Sequence, residues 1–85
     1  MELTVYGPLR SATGEKTVPL EFDGGTVADA IEAFVDAYPR ARPHLYDGER
    51  LRPSVRVTLE GERVDLETTC STDASLALFP AVQGG

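Results

Sequence analysis

The residues with the clearest chemistry are the last ones, LFPAVQGG. An apolar strand-like run reaches Pro80, and a short stretch of little structural commitment leads to Gly84 and Gly85. Glycine is ordinarily selected by a tight turn, a helix cap or a close backbone approach. Read as a C-terminus, this pair has nothing beyond it to turn or cap. A carboxylate is a poor acyl donor because its oxygen leaves poorly. Joined to AMP as a mixed anhydride, it opens to attack by a thiol or an amine. The machinery for that step must enclose the terminus, and two residues without Cβ atoms can pass a narrow channel. On this chemistry Gly85 and Gly84 are the activated end. The chain is then the substrate of an adenylating enzyme and needs no catalytic residue of its own. A frayed tail without a role is the plain alternative.

The other reactive side chains offer less. Cys70 is the only cysteine, so neither an internal disulfide nor a cysteine metal site is expected. A small apolar residue is its ordinary role. His44 stands alone between prolines and arginine, without companion ligands, and reads as a surface residue. Lys16 is the only lysine. It and the N-terminus are the amines on which a second copy of the module could be built, and a solvated loop lysine is the alternative.

Eighty-five residues make one small domain. Its modest core leaves little room for a deep substrate pocket, which argues against an enzyme. Fourteen acidic residues against eight basic ones give a net charge of −6, the wrong sign for binding a phosphate backbone. Arg40, Arg42, Arg50, Arg52 and Arg56 do cluster in the middle third, but Asp47 and Glu49 lie among them and favour a solvated surface. An acidic, lysine-poor composition fits a proteome adapted to high salt. The start, MELTVYGPLR, lacks the pattern of a secretory leader, and no apolar run approaches membrane length. A cytoplasmic monomer is the expectation, with neither nucleic acid nor membrane as partner.

The elements that must position the terminus follow from periodicity. MELTVYG alternates as a half-buried strand. GPLRSATGEK reads as a loop with room for one helical turn. KTVPLEFDGG places Val18, Leu20 and Phe22 on one face. Pro19 cannot donate to a ladder and makes this an edge strand, antiparallel to the first. TVADAIEAFVDAYP predicts the one main helix, with Thr26 as N-cap and Asp29 three residues on. Val27, Ile31, Phe34 and Tyr38 form its apolar stripe, widened by Ala30 and Val35, and Pro39 ends it. The segment 39–54 reads as irregular, with a turn at Asp47-Gly48. SVRVTLEGERVDL predicts a hairpin turning at Glu60-Gly61, with Val55, Val57 and Leu59 inward and Val64 and Leu66 on the return strand. ASLALFPAV is the last strand, and its weak alternation suggests a central position with both faces partly covered. The order β-β-α-β-β-β gives an α+β layer fold.

That order, with the TVADAIEAF helix entry, the VRVTLEGE hairpin, the early PLRSATG loop and the terminal Phe-Pro-x-Val-x-Gly-Gly, resembles the β-grasp sulfur carriers and modifiers. These are MoaD, ThiS and the small archaeal modifier proteins, relatives of ubiquitin. The resemblance spans the chain. It implies a ubiquitin-like mixed sheet of four to five strands with one main helix packed on one face. Residues 1–80 are then the β-grasp domain and 81–85 a flexible tail. Ala81, where many members have a second proline, and Gln83, where many have a small residue, depart from the pattern and bear on which partner enzymes fit.

The function implied is a ubiquitin-like modifier, adenylated at Gly85 by a ubiquitin-activating-type enzyme that consumes ATP, and conjugated to target lysines. The same terminus can carry sulfur as a thiocarboxylate. An alternative is a MoaD-like carrier serving only molybdenum cofactor synthesis, with the large subunit of molybdopterin synthase as partner. A further one is an interaction module with an inert tail. No bound cofactor is expected. Phe79, Pro80 and Val82 are the candidate docking residues for the adenylating enzyme, although Phe79 could equally complete the core.

Overall fold

A computed structural model describes residues 1–80; residues 81–85, which hold Val82, Gly84 and Gly85, lie outside the described residues. Strand β1 (Glu2–Val5) and helix α1 (Pro8–Thr13) are followed by β2 (Thr17–Pro19), β3 (Gly25–Thr26) and helix α2 (Val27–Ala37). A 3₁₀ turn (Pro39–Ala41) runs into α3 (Arg42–Leu45), and β4 (Tyr46–Asp47) and β5 (Arg50–Leu51) form a small hairpin. Then come β6 (Arg56–Leu59), β7 (Glu62–Arg63), β8 (Thr69–Cys70) and β9 (Ser75–Phe79).

The main sheet has five strands in the order β2-β1-β9-β6-β7. Strand β9 runs parallel to β1, with Leu3 opposite Leu76 and Val5 opposite Leu78. On its other side it is antiparallel to β6, with Val57 opposite Leu78 and Arg56 opposite Phe79. The last strand of the described chain is therefore the central one. As expected, β2 is an edge strand antiparallel to β1, and Pro19 sits on it where no ladder donor is needed.

Helix α2 covers one sheet face. Its start is closed by a capping box: Asp29 N–H donates to Thr26 Oγ1 (3.2 Å) and Thr26 N–H donates to Asp29 Oδ2 (3.1 Å). Val27, Ala30, Ile31, Phe34 and Val35 are buried and join Leu3, Val5, Val18, Val57, Leu76 and Leu78 in one core. Burying a side chain as large as that of Phe34 is worth about 3 kcal/mol, so this stripe is a principal support of the fold. Helix α2 stops at Ala37, where Pro39 denies Tyr38 helical geometry.

The structure departs from the sequence expectations at four places. The segment after β1 is a six-residue helix rather than a loop, started by Pro8 and ended by Gly14 in the left-handed region, and it buries Leu9. The stretch 39–54 holds a helical turn, α3 and the β4–β5 hairpin, which bury Ala41, Leu45 and Tyr46. Strand β9 alternates cleanly where weak alternation was expected, with Leu76 and Leu78 buried on one face and Ala77 and Phe79 half-buried on the other. The return strand β7 is two residues long; Val64 and Leu66 lie beyond it, half-buried against the core.

The β6–β7 turn uses positive φ at both central residues, Glu60 (51°) and Gly61 (85°). That geometry matches the twist of a two-residue hairpin, and at Glu60 it costs about 1 kcal/mol. Two hydrogen bonds to the start of β9 offset the cost: Glu60 N–H donates to Ser75 C=O (2.9 Å), and Ser75 N–H donates to Glu60 Oε2 (3.0 Å).

Candidate functional site: the C-terminal exit

The exit is built where β1 and β9 end side by side. Alternation along β9 turns Leu78 inward and Phe79 outward. Phe79 is half-buried and lies outside the core, against the expectation that it could complete it. Its ring stacks on Tyr6, just past the end of β1, with centroids 4.4 Å apart and planes 14° apart. Lys16 lies on the same side: its backbone C=O accepts from Val5 N–H (2.8 Å), and its Nζ is 5.6 Å from the centre of the Tyr6 ring.

Pro80 is buried beside this stack. The nearest atom to a Cβ placed on Gly7 would be Pro80 Cγ, at 3.6 Å, an ordinary contact. Glycine is thus selected at position 7 by its conformation (φ +61°), which lets the chain turn from β1 into Pro8 of α1. Tyr6 and Gly7 from one strand end and Phe79 and Pro80 from the other form a collar around the point where the chain leaves the sheet. Pattern reading missed Tyr6 and Gly7; the aromatic-Gly-Pro sequence closing the first strand is the signal that could have found them.

Of the predicted site residues, Phe79, Pro80 and Lys16 are brought together at this exit. Val82, Gly84 and Gly85 fall outside the described residues. The N-terminal amine is tied down, donating to Leu20 C=O at 3.1 Å, whereas the Lys16 side chain is exposed.

Cys70 is 4% exposed. Burial first, and then the charge of Asp29, pushes its thiol above the ordinary range, so it is a protonated core residue and a poor nucleophile. His44 is exposed on α3. Among the described residues, no group of three or more His, Cys, Asp or Glu is placed to hold a metal ion. Asp73, held below its usual value mainly by the hydrogen bond from Ser71 Oγ (2.7 Å), steadies the loop before β9. Among the described residues, no helix is long and apolar enough to cross a membrane.

A family model described as the ThiS family matches residues 3–85. The chain belongs to the ThiS family. Among solved structures, it is similar to small archaeal modifier protein 1 of Haloferax volcanii: 34% identity, TM-score 0.87, covering 100% of this chain and 98% of that one. A second structure of the Haloferax volcanii protein gives 33% identity and TM-score 0.88 over 96% of this chain and 97% of that one. A chain of the Amycolatopsis orientalis BexX/CysO complex shares 28% identity and TM-score 0.79, over 99% of this chain and 98% of that one. No curated protein matches by sequence. The β-grasp architecture expected from strand order is therefore that of the ubiquitin-like sulfur carriers of the ThiS family.

Proposed function

We propose that this ThiS-family chain is a ubiquitin-like modifier whose Gly85 carboxylate is adenylated by a ubiquitin-activating-type enzyme at the expense of ATP. A lysine ε-amine of a target protein then attacks the Gly85 carbonyl, forming an isopeptide bond as the bond to AMP breaks and AMP leaves. The observation that carries this is the exit itself. The central strand of the sheet delivers the chain through a Tyr6–Phe79–Pro80 collar into a terminus that ends in two glycines. Five residues beyond Pro80, fully extended, reach about 17 Å, enough to enter an enclosed active centre while the domain stays outside. In this role Phe79, Pro80 and Val82 dock on the adenylating enzyme. Lys16, the exposed ε-amine beside the exit, is the acceptor for a second copy of the module. Likeness to small archaeal modifier protein 1 supports the modifier role.

Membership of the ThiS family favours a second use of the same adenylate, its conversion to a thiocarboxylate that supplies sulfur. A molybdopterin synthase large subunit would be the partner in that case. Both uses start from one step and test together. The full chain should support ATP–pyrophosphate exchange by its adenylating enzyme, and a chain lacking Gly84 and Gly85 should not. Equal exchange by both would leave the tail inert and the chain a plain interaction module.

A further inference from the structure

Six of the seven arginines fall between positions 40 and 63 of a chain whose net charge is −6. Three of them, Arg52, Arg56 and Arg63, are exposed along one groove of about 490 Å³. The groove opens where the β6–β7 ladder runs out. Its last backbone bond runs from Val64 N–H to Val57 C=O (3.4 Å). Beyond it, residues 51–56 form one wall. The other is made by residues 64–66, which depart toward the start of α2, where Ala28 N–H donates to Leu66 C=O. Half-buried Val55 on the first wall and Val64 and Leu66 on the second supply the apolar part of a lining that is otherwise polar. Asp65 is the one acidic residue in the lining. Strand β7 is also a sheet edge, and Arg56 sits opposite Phe79 in the ladder, so the groove lies beside the chain exit.

We infer that this groove is a docking site for an extended peptide segment of a partner protein in which acidic and apolar residues alternate. Alternation puts one set of side chains toward Val55, Val64 and Leu66 and the other toward the rim, where guanidinium groups donate to carboxylates in bidentate geometry. Charge complementarity also selects the place. The acidic body repels such a segment elsewhere, and the arginine rim is where the sign reverses. A nucleic acid would need a broader basic stripe than one groove on an acidic domain provides. The site goes beyond the activation of Gly85 and does not depend on how the carboxylate is used.

The test is a titration of the ¹⁵N-labelled full chain with a synthetic hexapeptide alternating Glu and Val, followed by amide shifts. Saturable shifts confined to residues 51–57 and 63–66 are expected. They should weaken as salt is raised. The double variant Arg56→Gln/Arg63→Gln should keep the parent melting temperature and bind about tenfold more weakly, since it loses two charge-assisted contacts. Absent shifts, equal binding of a Lys-Val hexapeptide, or unchanged binding by the double variant would overturn the assignment. So would the same shifts produced at equal concentration by inorganic phosphate or a thymidine oligonucleotide.

Discussion

The collar makes a quantitative prediction about two residues far apart in sequence. Tyr6 and Phe79 stack with centroids 4.4 Å apart and nearly parallel planes, yet neither ring is fully buried. Truncating a fully buried aromatic to alanine costs about 3–5 kcal/mol. At half burial, Tyr6→Ala and Phe79→Ala should each cost about 2 kcal/mol, lowering the melting temperature by roughly 8–16 °C for a domain of this size. A stacked pair contributes about 0.5–1.5 kcal/mol beyond its area. The double variant should therefore lose about 3 kcal/mol rather than about 4. Urea unfolding of the four proteins measures the difference, and Tyr6→Phe, which keeps the ring, should leave the stack intact. A coupling below about 0.3 kcal/mol, the level of independent sites, would show that the two strand ends do not hold each other and that the collar is not a unit.

Three further predictions concern the parts that support the exit. Burial first, then the charge of Glu32 and the hydrogen bond to it (3.4 Å), raises the Tyr46 hydroxyl from 10.0 to about 12. A folded value above the unfolded one means full stability below about pH 10 and a loss as pH rises through 12, of at most about 2 kcal/mol once solvent screening of this partly buried group is allowed for. Urea unfolding near pH 9 and pH 11.5 should show Tyr46→Phe losing less stability between the two than the parent; equal losses would contradict the shift. Thr26→Ala opens the capping box at α2 and should cost about 1 kcal/mol, read as a lower urea midpoint at unchanged slope. Gly85→Ala should impair adenylation but leave thermal unfolding unchanged, because the core residues of the described domain all precede Pro80; loss of cooperative unfolding would reveal a structural role for the terminus.

Helix α2 and the β6–β7 hairpin were legible in the sequence because short-range chemistry writes them. Thr26 and Asp29 cap, Pro39 stops, and Glu60-Gly61 turns. The edge position of β2 followed from Pro19. The central position of β9 was read from weak alternation and is correct, but the strand alternates cleanly; what puts it at the centre is parallel pairing with β1, which joins segments more than seventy residues apart and leaves no local signal. Helix α1 was missed although Pro8 and Gly14 mark both its ends; with only Leu9 buried, six residues show no periodicity. The collar and the arginine groove depend on register. Tyr6 meets Phe79, and Arg56 and Arg63 come to line one groove, only once the ladders are aligned. The arginine cluster was visible in composition, where Asp47 and Glu49 suggested a solvated surface. The fold places Arg52, Arg56 and Arg63 along a groove whose lining includes neither Asp47 nor Glu49.

The central claim is that the C-terminal carboxylate is the working end of the molecule, and mass spectrometry of the protein from its own host tests it most directly. The account predicts either an oxygen-to-sulfur exchange at Gly85 in the intact protein or Gly-Gly remnants on lysines of other proteins after protease digestion, each abolished by deleting Gly84 and Gly85. A free, unmodified terminus with neither product, and a cellular phenotype that survives the deletion, would contradict it.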